Sequence, residues 1–171
     1  MEDLRDYLLL ARSRSSKEFV AQACPLYLIK RPVVRATALS KATTVSFETK
    51  HTRLDADPYA TEWRVAAVKK REGNPYPDRF SIGRAPNCDV VFRLPSISKL
   101  HAYLLITGPS TYGLRDNEAS NATYVNGRKL EPRATVLLRI GDEIELGALK
   151  LEFIDAGRLY QILRTEIDRT V

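Results

Sequence analysis

The chain predicts an all-β fold, a β-sandwich with helical character only at its two ends. Three observations carry this. From Pro25 onward the apolar residues alternate with polar ones at a period of two, the spacing of a half-buried strand. Turn chemistry recurs at short intervals, in Glu72-Gly73-Asn74-Pro75, Ala85-Pro86-Asn87, Thr107-Gly108-Pro109-Ser110, Asn126-Gly127 and Gly141-Asp142. Helical spacing is confined to the first two dozen residues and the last fifteen. Many short strands with regular punctuation are the pattern of a sandwich.

The first helix is predicted by Leu4, Tyr7, Leu8 and Ala11, which recur at three and four residues. A second follows from Ser15-Ser16-Lys17-Glu18, a capping box: the serine hydroxyl accepts from a free amide and the glutamate reaches back to the serine N–H. Pro25 ends it, and Phe19, Val20 and Ala23 form its expected buried stripe. Strands are predicted at Leu26 to Ile29, at Thr43, Val45, Phe47 and Thr49, and at Trp63, Val65 and Ala67. Trp63 and Phe80 read as core. Asn126-Gly127 between Val125 and Arg128 is a type I′ hairpin signal, because both central positions need positive φ. Gly157 to Val171 returns to helical spacing through Leu159, Ile162, Leu163 and Ile167, the stripe of a packing helix. The division expected is an amino-terminal extension over residues 1–59, helix then strands packed on the sandwich, a main domain over 60–156 and a carboxy-terminal helix over 157–171. The boundary is drawn through Leu54 to Ala60 with its Asp55, Asp57 and Pro58.

Composition narrows the function classes. A chain of 171 residues is the size of one domain with extensions. Cys24 and Cys88 have no Cys-x-x-Cys spacing and no clustered histidine, so neither a disulfide framework nor a metal site is expected, and a reducing, cytoplasmic setting is. No apolar run approaches the roughly 20 residues that span a bilayer. The net charge of +6 is dispersed: Lys30-Arg31, Lys69-Lys70-Arg71 and Arg128-Lys129 are short and separated by acidic residues, so no nucleic-acid stripe is predicted. Phosphate-loop, zinc-protease and nucleophile-elbow motifs are all missing, and the only histidines are His51 and His101. Neither a catalytic role nor a cofactor is expected.

What the sequence does offer is a set of phosphate-binding groups in order. A phosphothreonine carries about −1.5 to −2 charge at pH 7 and three acceptor oxygens. Gripping it takes a guanidinium with paired donors and short hydroxyl or amide donors for the remaining oxygens. Arg84, Ser98, Lys99 and Ser120 supply these, each at a strand end or in a turn, where loops collect on one edge of a sandwich. Other readings stay open: Arg84 paired with Asp89 or Asp116, Ser98 capping a turn, and Lys99 as a solvated charge.

The series Phe80-Ser81-Ile82-Gly83-Arg84, Asp89-Val90-Val91-Phe92, Ser98-Lys99-Leu100-His101-Ala102, Ser120-Asn121-Ala122-Thr123-Tyr124-Val125-Asn126-Gly127 and Gly141-Asp142-Glu143-Ile144 resembles the forkhead-associated (FHA) domain over about residues 62–154. The resemblance implies two twisted, mainly antiparallel sheets whose apical loops bind phosphothreonine in an extended peptide. It implies that Arg84 and Ser98 are the main phosphate contacts, Lys99 a supporting one, and Ser120 a hydroxyl near the phosphate or the threonine methyl. Asn121 would bond the peptide backbone, while Gly83, His101, Asn126 and Gly127 would shape the loops. The implied function is a non-catalytic adaptor in Ser/Thr kinase signalling, with threonine-phosphorylated proteins, a kinase or its substrate, as partners; the alternative is an interaction module of the same fold that has lost phosphate recognition. Where the family commonly has Gly-Ser-Thr-Asn-Gly-Thr, this chain has Glu118-Ala119-Ser120-Asn121-Ala122-Thr123. Backbone strain is therefore expected at Ala122 and an adverse negative charge at Glu118.

Overall fold

A computed structural model describes residues 1–32 and 62–170. The strand predicted around Thr43 to Thr49, His51 and the boundary at Leu54 to Ala60 lie outside the described residues. In chain order the elements are β1 (Glu2–Asp3), α1 (Leu4–Ser13), α2 (Ser16–Gln22), β2 (Leu26–Lys30), β3 (Arg64–Ala67), β4 (Arg79–Gly83), β5 (Val90–Val91) and β6 (Ala102–Gly108). Then come β7 (Thr111–Asp116), β8 (Thr123–Val125), β9 (Arg128–Lys129), β10 (Thr135–Leu138), β11 (Glu143–Leu146), β12 (Leu149–Asp155) and α3 (Ala156–Thr170). The strands form a seven-stranded sheet, β1-β3-β2-β12-β11-β8-β9, and a five-stranded sheet, β10-β7-β6-β4-β5. Every pairing is antiparallel except β4 with β5. The fold is the mostly β sandwich that the sequence predicts.

The core between the sheets follows from the alternation. In β12, Leu149, Leu151 and Phe153 are buried and Lys150 is exposed; in β6, Ala102 and Leu104 are buried between less covered neighbours. These meet Leu28, Ile82, Leu114, Leu138, Ile144 and Leu146 in one cluster. At roughly 25 cal/mol per Å² of apolar surface removed from water, this cluster is the main stabilising element of the sandwich.

The strand β2 breaks the alternation, because all five of its residues are buried. Leu26 and Leu28 face the other sheet, whereas Tyr27 and Ile29 belong to a second apolar cluster under the helices. That cluster holds Leu4 and Ala11 of α1, Phe19 of α2, and Leu159, Ile162, Leu163 and Ile167 of α3. A strand covered on both faces reads as a continuous apolar run. Within the seven-stranded sheet β2 lies between β12 and β3, with Tyr27 opposite both Ile154 and Ala67.

The capping box forms as predicted: Ser15 Oγ accepts from Glu18 N, and the Glu18 carboxylate accepts from Ser15 N at 2.8 Å. The stripe of α2 differs from expectation. Phe19 is buried against Tyr160, ring centroids 5.4 Å apart, but Val20 is 43% exposed. A helix of seven residues meets its neighbours along a single line, and the next residue, turned by about 100°, faces water. Trp63 is partly buried against the helical cluster beneath the Arg31 guanidinium, and Phe80 is partly buried against the inner core.

Candidate functional site

The site is built where β4 ends. The backbones of Gly83 and Lys99 pass so closely that a Cβ at Gly83 would lie 2.2 Å from the Lys99 carbonyl oxygen. Glycine is the residue that permits this contact. The loops are then stitched together by main-chain bonds: Arg84 N donates to Ser98 O at 3.0 Å, and Ala85 N donates to Lys99 O at 3.1 Å. Leu94 to Ile97 closes a turn over Pro95, with Ile97 N donating to Leu94 O at 3.1 Å. Proline is suited to that position because its φ is already set for the turn.

His101 holds the Ser98 segment from below. Its imidazole is fully buried, and Nδ1 accepts from Ser98 N at 3.1 Å. Its own N–H donates to Ile82 O and its carbonyl accepts from Asn117 N, so one residue ties β4, β6 and the loop after β7. Because Nδ1 is an acceptor, the neutral ring carries its hydrogen on Nε2, which has no hydrogen-bond partner among the described residues. Burial lowers the His101 pKa, against an opposing pull from the Asp116 carboxylate.

The third loop is joined to the second. Ser120 N donates to Ser98 Oγ at 3.0 Å, and Asn121 Nδ2 donates to Ser96 O at 2.8 Å. Beneath it, Thr123 Oγ1 donates to the Asp116 carboxylate at 2.6 Å, and Ala119 N donates to its other oxygen at 3.2 Å. Gly147, at φ +58°, brings its N–H to Ala122 O, and a Cβ there would lie 2.5 Å from Ser96 O. Asp116, Thr123 and Gly147 are supports that the sequence pattern does not single out. Their alternation marks them only as strand or turn positions.

Thus the loops bearing Arg84, Ser98, Lys99, Ser120 and Asn121 are brought together. Arg84, Lys99, Ser120 and Asn121 are exposed and Ser98 is half-buried. Neither the Arg84 nor the Lys99 side chain makes a hydrogen bond or ion pair with another described residue. The carboxylates considered as partners for Arg84 are engaged elsewhere. Asp89 is buried and accepts from Arg71 N, Asn74 Nδ2, Ser81 N and Ser81 Oγ at 2.6–2.8 Å. Burial by itself raises the Asp89 pKa, but these donors outweigh it and hold the carboxyl below its usual range.

Two expectations about the third loop are corrected. Positive φ falls on Glu118, at +53°, and Ala122 is not among the residues with positive φ. The Glu118 carboxylate does not stand unopposed, because it pairs with Arg133 at 3.0 Å. The hairpin is as predicted: Asn126 and Gly127 have φ of +50° and +75°, and Asn126 Oδ1 accepts from Glu143 N. Among the described residues no cluster of metal-ligating side chains occurs, and no helix is long and apolar enough to cross a membrane.

Comparison with known proteins adds the following. The family model of the FHA domain matches residues 80–147. An ABC transporter ATP-binding/permease protein of Mycobacterium tuberculosis is 35% identical over 94 residues, 53% of this chain and 10% of that protein. An oxoglutarate dehydrogenase inhibitor of Corynebacterium jeikeium is 33% identical over 76 residues, 44% of this chain and 50% of that protein. The chain therefore spans half or less of the length of these relatives. The amino-terminal FHA domain of Saccharomyces cerevisiae Rad53, solved with a phosphothreonine peptide, is 24% identical with a TM-score of 0.47, covering 58% of this chain and 90% of that one.

Proposed function

We propose that the chain is a non-catalytic adaptor built on an FHA domain, whose family model matches residues 80–147, and that it binds phosphothreonine peptides of a partner protein in Ser/Thr kinase signalling, in the cytoplasm. The observation that carries the reading is the pair of exposed cations, Arg84 and Lys99, without hydrogen-bond or ion-pair partners among the described residues, on loops fixed by main-chain bonds to Ser98 and Lys99. A preset, unneutralised guanidinium is what a phosphate dianion requires, and a charge-assisted hydrogen bond contributes about 1.5–3 kcal/mol.

The roles divide by position. Arg84 and Ser98 grip the phosphate, Lys99 adds positive charge, and Ser120 sits beside the phosphate or the threonine methyl. Asn121 has its amide N–H on Ser96 O, leaving its carbonyl oxygen to accept from the peptide backbone. Gly83, His101, Asn126 and Gly127 shape the loops. The alternative, a module without phosphate recognition, leaned on Glu118 and Ala122; against it, Glu118 has Arg133 beside it at 3.0 Å and Ala122 is not among the residues with positive φ. We also place the start of the binding module at Leu26, because β2 supplies a central strand of the larger sheet.

The test is titration with a phosphothreonine peptide library alongside its phosphoserine and unphosphorylated versions. Binding is expected to phosphothreonine peptides alone and to be lost in Arg84→Ala. Equal binding by wild type and Arg84→Ala would end the proposal.

A further inference from the structure

The two sheets end side by side at β9 and β10, far in sequence from Arg84. There β9 is the outermost strand of one sheet and β10 the outermost strand of the other. Between them lies a cleft of about 440 Å³. Its floor includes Leu130, which is buried, and its wall includes Val136 and Leu137, which are 38% and 63% exposed. Ile140, just beyond β10, is 44% exposed. Edge strands in monomeric proteins are usually guarded by charge or cover along the strand itself, and an exposed apolar edge invites pairing.

The charge around this edge is mainly positive. Arg128, Lys129 and Arg139 line the cleft and are exposed, and none uses its side chain in a hydrogen bond or ion pair with another described residue. The one lining carboxylate, Asp142, is tied down by Asn126 Nδ2 at 2.9 Å and Arg139 N at 2.8 Å. Three cations thus outnumber one carboxylate beside an apolar strand whose outer main-chain groups have no sheet partner among the described residues.

We infer that this edge is a second binding surface, which takes an extended acidic segment of a partner protein as an added strand beside β10. Main-chain bonds to Thr135–Leu138 would supply affinity, side chains of the added strand would lie beside Val136 on one face and Leu137 on the other, and carboxylates would meet Arg128, Lys129 and Arg139. The β9–β10 connector is joined to the loop bearing Ser120 through the Arg133–Glu118 pair.

The test uses the full chain, labelled for backbone NMR, and the unphosphorylated probe acetyl-Asp-Val-Asp-Ile-Glu-Val-Asp-amide. Saturable shifts are expected at Thr135–Leu138, with tenfold or greater weakening in the double variant Arg128→Glu/Lys129→Glu and in Leu137→Asp. Arg84→Ala is expected to bind this probe like the wild type, which separates the surface from the phosphate site. A probe with Lys at every acidic position is expected not to bind. Shifts absent from β10, or unchanged affinity in both variants with amide spectra that show them folded, overturn the inference. So does a wild-type dimer dissolved by Leu137→Asp in sedimentation, since a second copy would then own the edge.

Discussion

The backbone N–H of Ser98 is held at 3.1 Å by Nδ1 of His101, a ring with no exposed surface. That bond requires the neutral imidazole. Protonation would place a hydrogen on the accepting nitrogen and a charge in the core, which is why burial lowers the His101 pKa.

Acid is therefore expected to loosen the Ser98 loop. With a folded-state pKa below the ordinary 6.5, His101 contributes stability that is fully present above pH 6.5 and lost as pH falls through the lower folded value. Thermal melts across pH 4–8 should show this loss, and His101→Gln should flatten that part of the profile. Because deletion of the ring also empties a core position, His101→Ala should cost about 2–4 kcal/mol. A wild-type profile identical to that of His101→Gln would show that the ring does not titrate with unfolding.

Arg84→Lys should behave almost as badly as Arg84→Ala toward a phosphothreonine peptide. A lysine keeps the charge but lacks the rigid paired donors of the guanidinium. A loss of at least tenfold, about 1.4 kcal/mol, is expected by calorimetry, with unfolding free energy changed by less than about 0.5 kcal/mol because Arg84 is exposed. Lys99→Ala should lose less than Arg84→Ala.

Gly83→Ala should destabilise the fold as well as the loop. The added methyl would meet the Lys99 carbonyl oxygen at 2.2 Å, which is backbone and cannot swing aside. About 1–3 kcal/mol of destabilisation is expected by denaturant unfolding, with faster hydrogen exchange at Arg84 and Ala85, whose N–H groups bond across this contact.

Glu118→Gly should be neutral or stabilising, by up to about 1 kcal/mol. The left-handed φ of +53° costs a side-chain-bearing residue, and glycine escapes that cost although its freer unfolded chain loses more entropy on folding. The Arg133 pair given up is exposed on both sides and is worth little. A fall in melting temperature of several degrees would mean that this ion pair matters more than the backbone.

Most of the fold was legible because its signals are local. The capping box at Ser15 and Glu18, the positive-φ hairpin at Asn126 and Gly127, and the alternation of β12 each depend on residues a few positions apart. The candidate site could be proposed as an ordered list, since arginine, hydroxyl, lysine and amide groups at strand ends advertise their chemistry without any contact being known.

Other features depend on which segments meet. Residues 26–30 form a central strand with both faces covered because β12, β3 and the helices converge on them, in a cluster that reaches as far as residue 167. Val20 is exposed because α2 is short and meets its neighbours along the Phe19 line. The strained position of the third loop is Glu118 rather than Ala122, because the loop must reach Ser98 Oγ through Ser120 N and Ser96 O through Asn121, 22 and 25 residues away. Propensity and spacing act through neighbours on the chain; the path of a loop is set by partners that become neighbours when the sheets pack.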